Sequence, residues 1–83
     1  MEKEKQIGVI SNYFEHVNVA AIKLRDKLSI GDMIRIVGGD IDFEQRVDSM
    51  QINRNPVKTA KAKDEIGIIV NEKVRKGYKV FKK

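Results

Sequence analysis

The sequence predicts an all-β fold, a small barrel or sandwich of six or seven short strands. β-branched aliphatics dominate its apolar set, with 11 Ile and 9 Val against 2 Leu and 4 Ala. Its apolar residues fall in short runs close to period two, and no long segment keeps the 3.6-residue period of a helix. Five of the six glycines stand beside such a run, where a strand begins or ends. The 83 residues suit a single domain, 1–83, with one small core, and residues 1–5 read as a flexible charged start.

Gln6 to Ser11 forms the first strand, with Ile7 and Val9 on one face, Gly8 and Ile10 on the other, and Gly8 marking a bend or bulge. Residues 12–16, which include Tyr13, Phe14 and His16, read as a loop to a second strand over Val17 to Leu24. Leu28-Ser29-Ile30-Gly31-Asp32 leads into a strand over Met33 to Val37 with Ile34 and Ile36 inward, and Gly38-Gly39 ends it. Ile41 to Ile52 is a long run in which Phe43 and Val47 share one parity and Met50 and Ile52 the other, so a bulge is expected near Asp48-Ser49. Asn53-Arg54-Asn55-Pro56 is the clearest turn, and Thr59 to Asp64 reads as a short helical turn or an open loop. Glu65 to Val70 and Lys79 to Phe81 complete the set. The segment Leu28-x-Ile30-Gly31-Asp32-x-Ile34 is echoed by Val74-x-x-Gly77-Tyr78-x-Val80, which reuse of one turn type explains.

Composition removes several function classes. With no Cys there is no disulfide framework, thiolate metal site or Cys nucleophile, and a single His argues against a His-based zinc site. No window approaches the roughly 18 apolar residues of a membrane span, and the charged start lacks a signal-peptide core, so a cytoplasmic, non-membrane protein is expected. No Gly-x-x-x-x-Gly-Lys-Ser/Thr segment exists to cradle a phosphate, and no Gly-x-Ser-x-Gly elbow surrounds Ser49. Asp40 and Asp42 read as a strand end rather than a metal site, and His16 has no nucleophile or ligand cluster near it in sequence. Phe43 and Met50 read as core.

The order of short motifs is itself informative: Gly8-Val9, Leu28-x-x-Gly31-Asp32-x-Ile34-x-Ile36-x-Gly38, Val47-x-Ser49-Met50, Ala60-x-x-Lys63-Asp64-x-Ile66-Gly67-Ile68 and Val74-x-x-Gly77. Together they resemble the second, β-barrel domain of translation GTPases such as elongation factor Tu and initiation factor two. Asp42-Phe43-x-Gln45-x-Val47-x-Ser49-Met50-Gln51 more closely resembles stand-alone translation elongation factor-like proteins. A similar barrel occurs at the C-terminus of some collagenase-like peptidase family proteins. The resemblance implies a closed antiparallel Greek-key barrel of the translation-protein type, without a GTPase domain. It departs from the pattern where Lys63 replaces a Gly and Tyr78 an Asp. Ser49 and Glu65 stand where elongation factor Tu carries a Glu and an Asn near the aminoacylated end of transfer RNA.

Charge supplies the candidate site. Residues 1–45 hold 6 basic and 8 acidic side chains, net −2, whereas 46–83 hold 11 and 4, net +7. The leading expectation is a non-enzymatic module that associates with RNA or the ribosome, with Arg46, Arg54, Lys58, Lys61, Lys63 and Arg75 as phosphate contacts. Tyr13 and Phe14 are candidates for stacking on bases. The alternative is a protein-interaction barrel serving a separately encoded partner, a GTPase-like or collagenase-like peptidase family protein. No cofactor, metal, GTP or membrane is expected in either case.

Overall fold

A computed structural model of the chain describes residues 4–39 and 41–83, leaving the start at 1–3 and Asp40 of the acidic pair outside the described residues. These residues are all-β and contain no helix. The strands are β1 (Lys5–Phe14), β2 (Val19–Leu24), β3 (Leu28–Ser29), β4 (Met33–Gly38), β5 (Ile41–Arg46), β6 (Met50–Ile52), β7 (Asn55–Val57), β8 (Thr59–Ala60), β9 (Glu65–Ile69) and β10 (Lys79–Lys82). Eight form one sheet in the order β5-β4-β10-β1-β2-β9-β6-β7, while β3 and β8 pair separately. All the strand pairings are antiparallel.

The sheet is shaped by its irregularities. β1 has two of them, Ile7 being the extra residue against β10 and Ser11 the extra residue against β2. The first sends Ile7 and Ile10 into the core together and leaves Val9 half-buried, correcting the strict alternation expected for this strand. Gly8 is required here, because a Cβ would stand 2.6 Å from the Lys23 carbonyl oxygen of β2. The long run from 41 to 52 is split where the parity switch placed a bulge, and residues 47–49 leave the ladder between β5 and β6.

Hairpin β6–β7 turns through Asn53 and Arg54 alone, at φ +52° and +67°. Positive φ at both central residues is the type I′ geometry that matches strand twist. The sequence motif around 53–56 is therefore a tighter turn than expected, with Asn55 and Pro56 already in strand. Thr59–Ala60 is a strand and not a helical turn.

The echo between Gly31 and Gly77 extends to hydrogen bonding. Gly31 and Gly77 sit at φ +96° and +95° in turns closed by Asp32 N–H to Ser29 O and by Tyr78 N–H to Arg75 O. Each turn clasps one residue by both backbone groups. Gly31 donates to Val47 O, and Val47 donates to Asp32 O; Gly77 donates to Ile10 O, and Ile10 donates to Tyr78 O. The bonds span 2.8–2.9 Å. Leu28 and Val74, three residues before each glycine, are both buried.

One face of the curled sheet covers a core of Ile7, Ile10, Ile22, Leu24, Ile34, Ile36, Ile66, Ile68 and Val80, joined by Leu28, Val47, Met50 and Val74. Phe43 packs on its margin and is only partly buried. The β-branched excess thus serves pleated, packed strands. A closed barrel does not describe the ladder: the eight-stranded sheet ends at β5 and β7, and among the described residues no sheet closes on itself. Pro56 removes an N–H from the β7 edge. A side chain spans part of the gap, Gln45 of β5 donating to Ile69 O and accepting from Asn71 N–H, each at 2.8 Å.

Candidate functional site

Strand β1 continues past the expected loop to Phe14, so Tyr13 and Phe14 are strand neighbours and point to opposite sides of the sheet. Tyr13 packs against the core margin, whereas Phe14 is exposed on the outer face. Two bases cannot stack side by side on residues so arranged.

The six basic candidates are also separated. Arg46 lies at the end of β5 and pairs with Asp48 at 3.2 Å. Arg54 and Lys63 line a shallow groove on the outer face with Phe14, Val19, Ala21 and Gly67. Lys61 lines a separate depression beside Lys27 and Thr59. Lys58 follows β7, and its carbonyl accepts the Ile30 N–H. Arg75 lies in the loop between β9 and β10 and lines a different cleft. Arg46, Arg54, Lys61 and Arg75 therefore line four different recesses, because the chain crosses the sheet repeatedly after residue 46.

A cleft of about 770 Å³ is lined by Tyr13, Glu15, Gly39, Ile41, Lys73, Val74, Arg75 and Tyr78. Three elements hold it: the β1–β2 hairpin, the β4–β5 turn and the 73–78 loop. Tyr13 Oη donates to Asn18 Oδ1 at 3.2 Å, within the same hairpin. Tyr78 is set by the two glycines of the β4–β5 turn, since a Cβ on Gly38 would overlap its ring and one on Gly39 would stand 2.9 Å from its hydroxyl. Lys73 and Glu15 form an ion pair at 2.9 Å across the mouth. That bond holds the Glu15 carboxyl below, and the Lys73 ammonium above, its ordinary pKa. The Arg75 side chain has no ion-pair or hydrogen-bond partner among the described residues.

Among the described residues, no group of three or more His, Cys, Asp or Glu side chains could hold a metal ion. Asp42 instead pairs with the Arg35 guanidinium, which also holds Glu4 at 2.9 Å. Among the described residues, no helix is long and apolar enough to cross a membrane.

Sequence reasoning missed Tyr78 and Gln45 as positioned residues. Tyr78 had a signal, the aromatic replacing an Asp just after a turn glycine, close in space to Gly38-Gly39. Gln45 had a weaker one, a polar residue on the inward parity of β5 after Ile41 and Phe43.

The architecture is that of a domain known from peptidases. The C-terminal domain of a Geobacillus thermoleovorans protein assigned to the U32 peptidases superposes with a TM-score of 0.89 at 17% identity, over 95% of this chain and 92% of that one. Its selenomethionine variant gives 0.88 at 16%, over 93% and 98%. In sequence, the chain is 40% identical over 77 residues to an uncharacterized protease of Methanocaldococcus jannaschii. The match takes in 92% of this chain but only 19% of that protein, so the chain spans about a fifth of its curated relative. No family model matches the sequence.

These relatives correct the translation-factor reading, and with it the assignment to elongation factor-like proteins and the RNA and ribosome association it carried. The motifs behind that reading are turn chemistry. Gly31 and Gly77 supply φ values that a tight turn needs in any small β domain, and they specify no ligand.

Proposed function

We propose that this chain is a non-enzymatic, protein-facing β module that serves a peptidase of the kind it resembles, either as part of the same polypeptide or as a separately encoded partner. The 40% identity over nearly the whole chain to one fifth of the M. jannaschii protease carries the reading. The likeness to a C-terminal peptidase domain supports a unit appended to a larger body. Residues 1–83 act as one domain in the cytoplasm, and the sheet behaves as a barrel whose seam is bridged by Gln45 in place of a continuous ladder. Of the basic candidates, Arg46 pairs locally with Asp48, and Arg54, Lys58, Lys61 and Lys63 serve solubility.

The test is to delete the matching segment from the M. jannaschii protease and add this chain in trans. A stoichiometric complex that survives nuclease supports the reading. No complex, or a peptide-hydrolysing activity in this chain alone, overturns it.

A further inference from the structure

We propose that the cleft between Tyr13, Ile41, Arg75 and Tyr78 docks an extended acidic peptide segment of a partner protein, with one carboxylate on the Arg75 guanidinium and a neighbouring apolar side chain on the tyrosine rings. This rests on the protein-facing reading above and adds the place and the chemistry of the contact.

Both tyrosines of the chain line this one cleft, together with Ile41 and the buried Val74. Tyrosine and arginine are the residue types in which interface energy concentrates, because each gives a large contact area with few torsions to order. The walls are already fixed. Tyr78 is held by Gly38 and Gly39, and its backbone N–H and carbonyl are engaged in the turn and the Ile10 clasp. Tyr13 is held by Asn18. A segment entering a preformed site spends little on ordering it.

The charge selects the occupant. Among the described ionisable side chains lining the cleft, Glu15 and Lys73 offset one another, and Arg75 is left uncompensated. Its planar fork matches a carboxylate with two parallel hydrogen bonds. The volume of about 770 Å³ takes a few side chains of an extended segment. A nucleic-acid strand would need cations continuing along a track, whereas Arg46, Arg54, Lys61 and Lys63 line other recesses.

The chain has two Tyr and no Trp, so its intrinsic emission reports on this cleft. The experiment titrates the full chain with a capped peptide of alternating glutamate and leucine, with its glutamine counterpart, and with an oligouridylate. The glutamate peptide should change tyrosine emission saturably, bind about ten-fold or more tighter than the glutamine peptide, and weaken with salt. Arg75→Glu should abolish the response, whereas Arg54→Glu, on the other surface, should leave it intact; unchanged thermal melts show that both variants are folded. Equal response to the two peptides, equal or tighter binding of the oligonucleotide, or an unaffected Arg75→Glu variant overturns the proposal. If Arg75→Glu still joins the truncated protease, the cleft proposal fails while the protein-facing reading stands. If the peptide binds but no complex forms, the reverse holds.

Discussion

The side-chain amide of Gln45 donates to the main-chain carbonyl of Ile69 at 2.8 Å, joining the β5 edge of the sheet to strand β9. Its Oε1 accepts the Asn71 N–H at the same distance, so one nearly buried side chain satisfies two main-chain groups where no ladder exists. Gln45→Leu keeps the volume and removes both bonds. It should lower stability by about 2–4 kcal/mol, the sum expected for two partly buried polar groups losing their partners, measured by urea unfolding. A loss under about 0.5 kcal/mol would mean that the seam does not depend on this residue.

The Gly38–Tyr78 contact should show as a coupling. Gly38→Ala puts a methyl group into the Tyr78 ring and should cost about 1–3 kcal/mol. In a Tyr78→Ala background the same change should cost less than about 1 kcal/mol, because the ring it meets is gone. Additive costs in the double-mutant cycle would locate the penalty elsewhere.

Arg54 and Lys63 hold φ of +67° and +79°, a region that costs a residue with a Cβ roughly 1–2 kcal/mol. Glycine relieves that strain at an entropic cost of about 0.5–1 kcal/mol. Arg54→Gly, which creates the Asn-Gly pair preferred in type I′ turns, and Lys63→Gly should each raise stability by up to about 1 kcal/mol in thermal unfolding. A clear loss in either would show that its side chain contributes more than its backbone costs.

Acid should weaken the fold in a definite direction. The Arg35 guanidinium holds the Asp42 carboxyl below its ordinary pKa, as Lys5 does for Asp26 and Lys73 for Glu15. A carboxyl depressed in the folded state binds its proton first when unfolded. Its contribution is present above the unfolded pKa of about 3.9 for aspartate and is lost as pH falls through the lower folded value. Asp42→Asn should lower the melting temperature at neutral pH and match the unsubstituted protein in strong acid. A difference that stays constant with pH would show that the carboxylate charge plays no part.

Much of the fold is legible in the residues because their local chemistry decides it. Ile34 and Ile36 alternate cleanly in β4, and Asn53-Arg54 stands between two strands that must reverse. The irregularity beside Gly8 is legible from that glycine, whereas the extra residue at Ser11 is not, since a bulge is set by the strand opposite and β1 has a different partner on each side. The open seam was hidden for the same reason. The candidate site was less legible than the fold. A run of basic residues in sequence disperses when successive strands lie on opposite sides of a curled sheet, as Arg54 and Arg75 do in separate clefts. The cleft itself joins residues 13, 41 and 78, which only the strand order brings together.

The most direct measurement is a sedimentation titration of this chain against two forms of the M. jannaschii protease, one intact and one lacking the segment that matches this chain. A module that serves such a peptidase should form a one-to-one complex with the truncated form and none with the intact form, whose own segment already fills the place. Binding to neither form, or to both equally, would contradict that role.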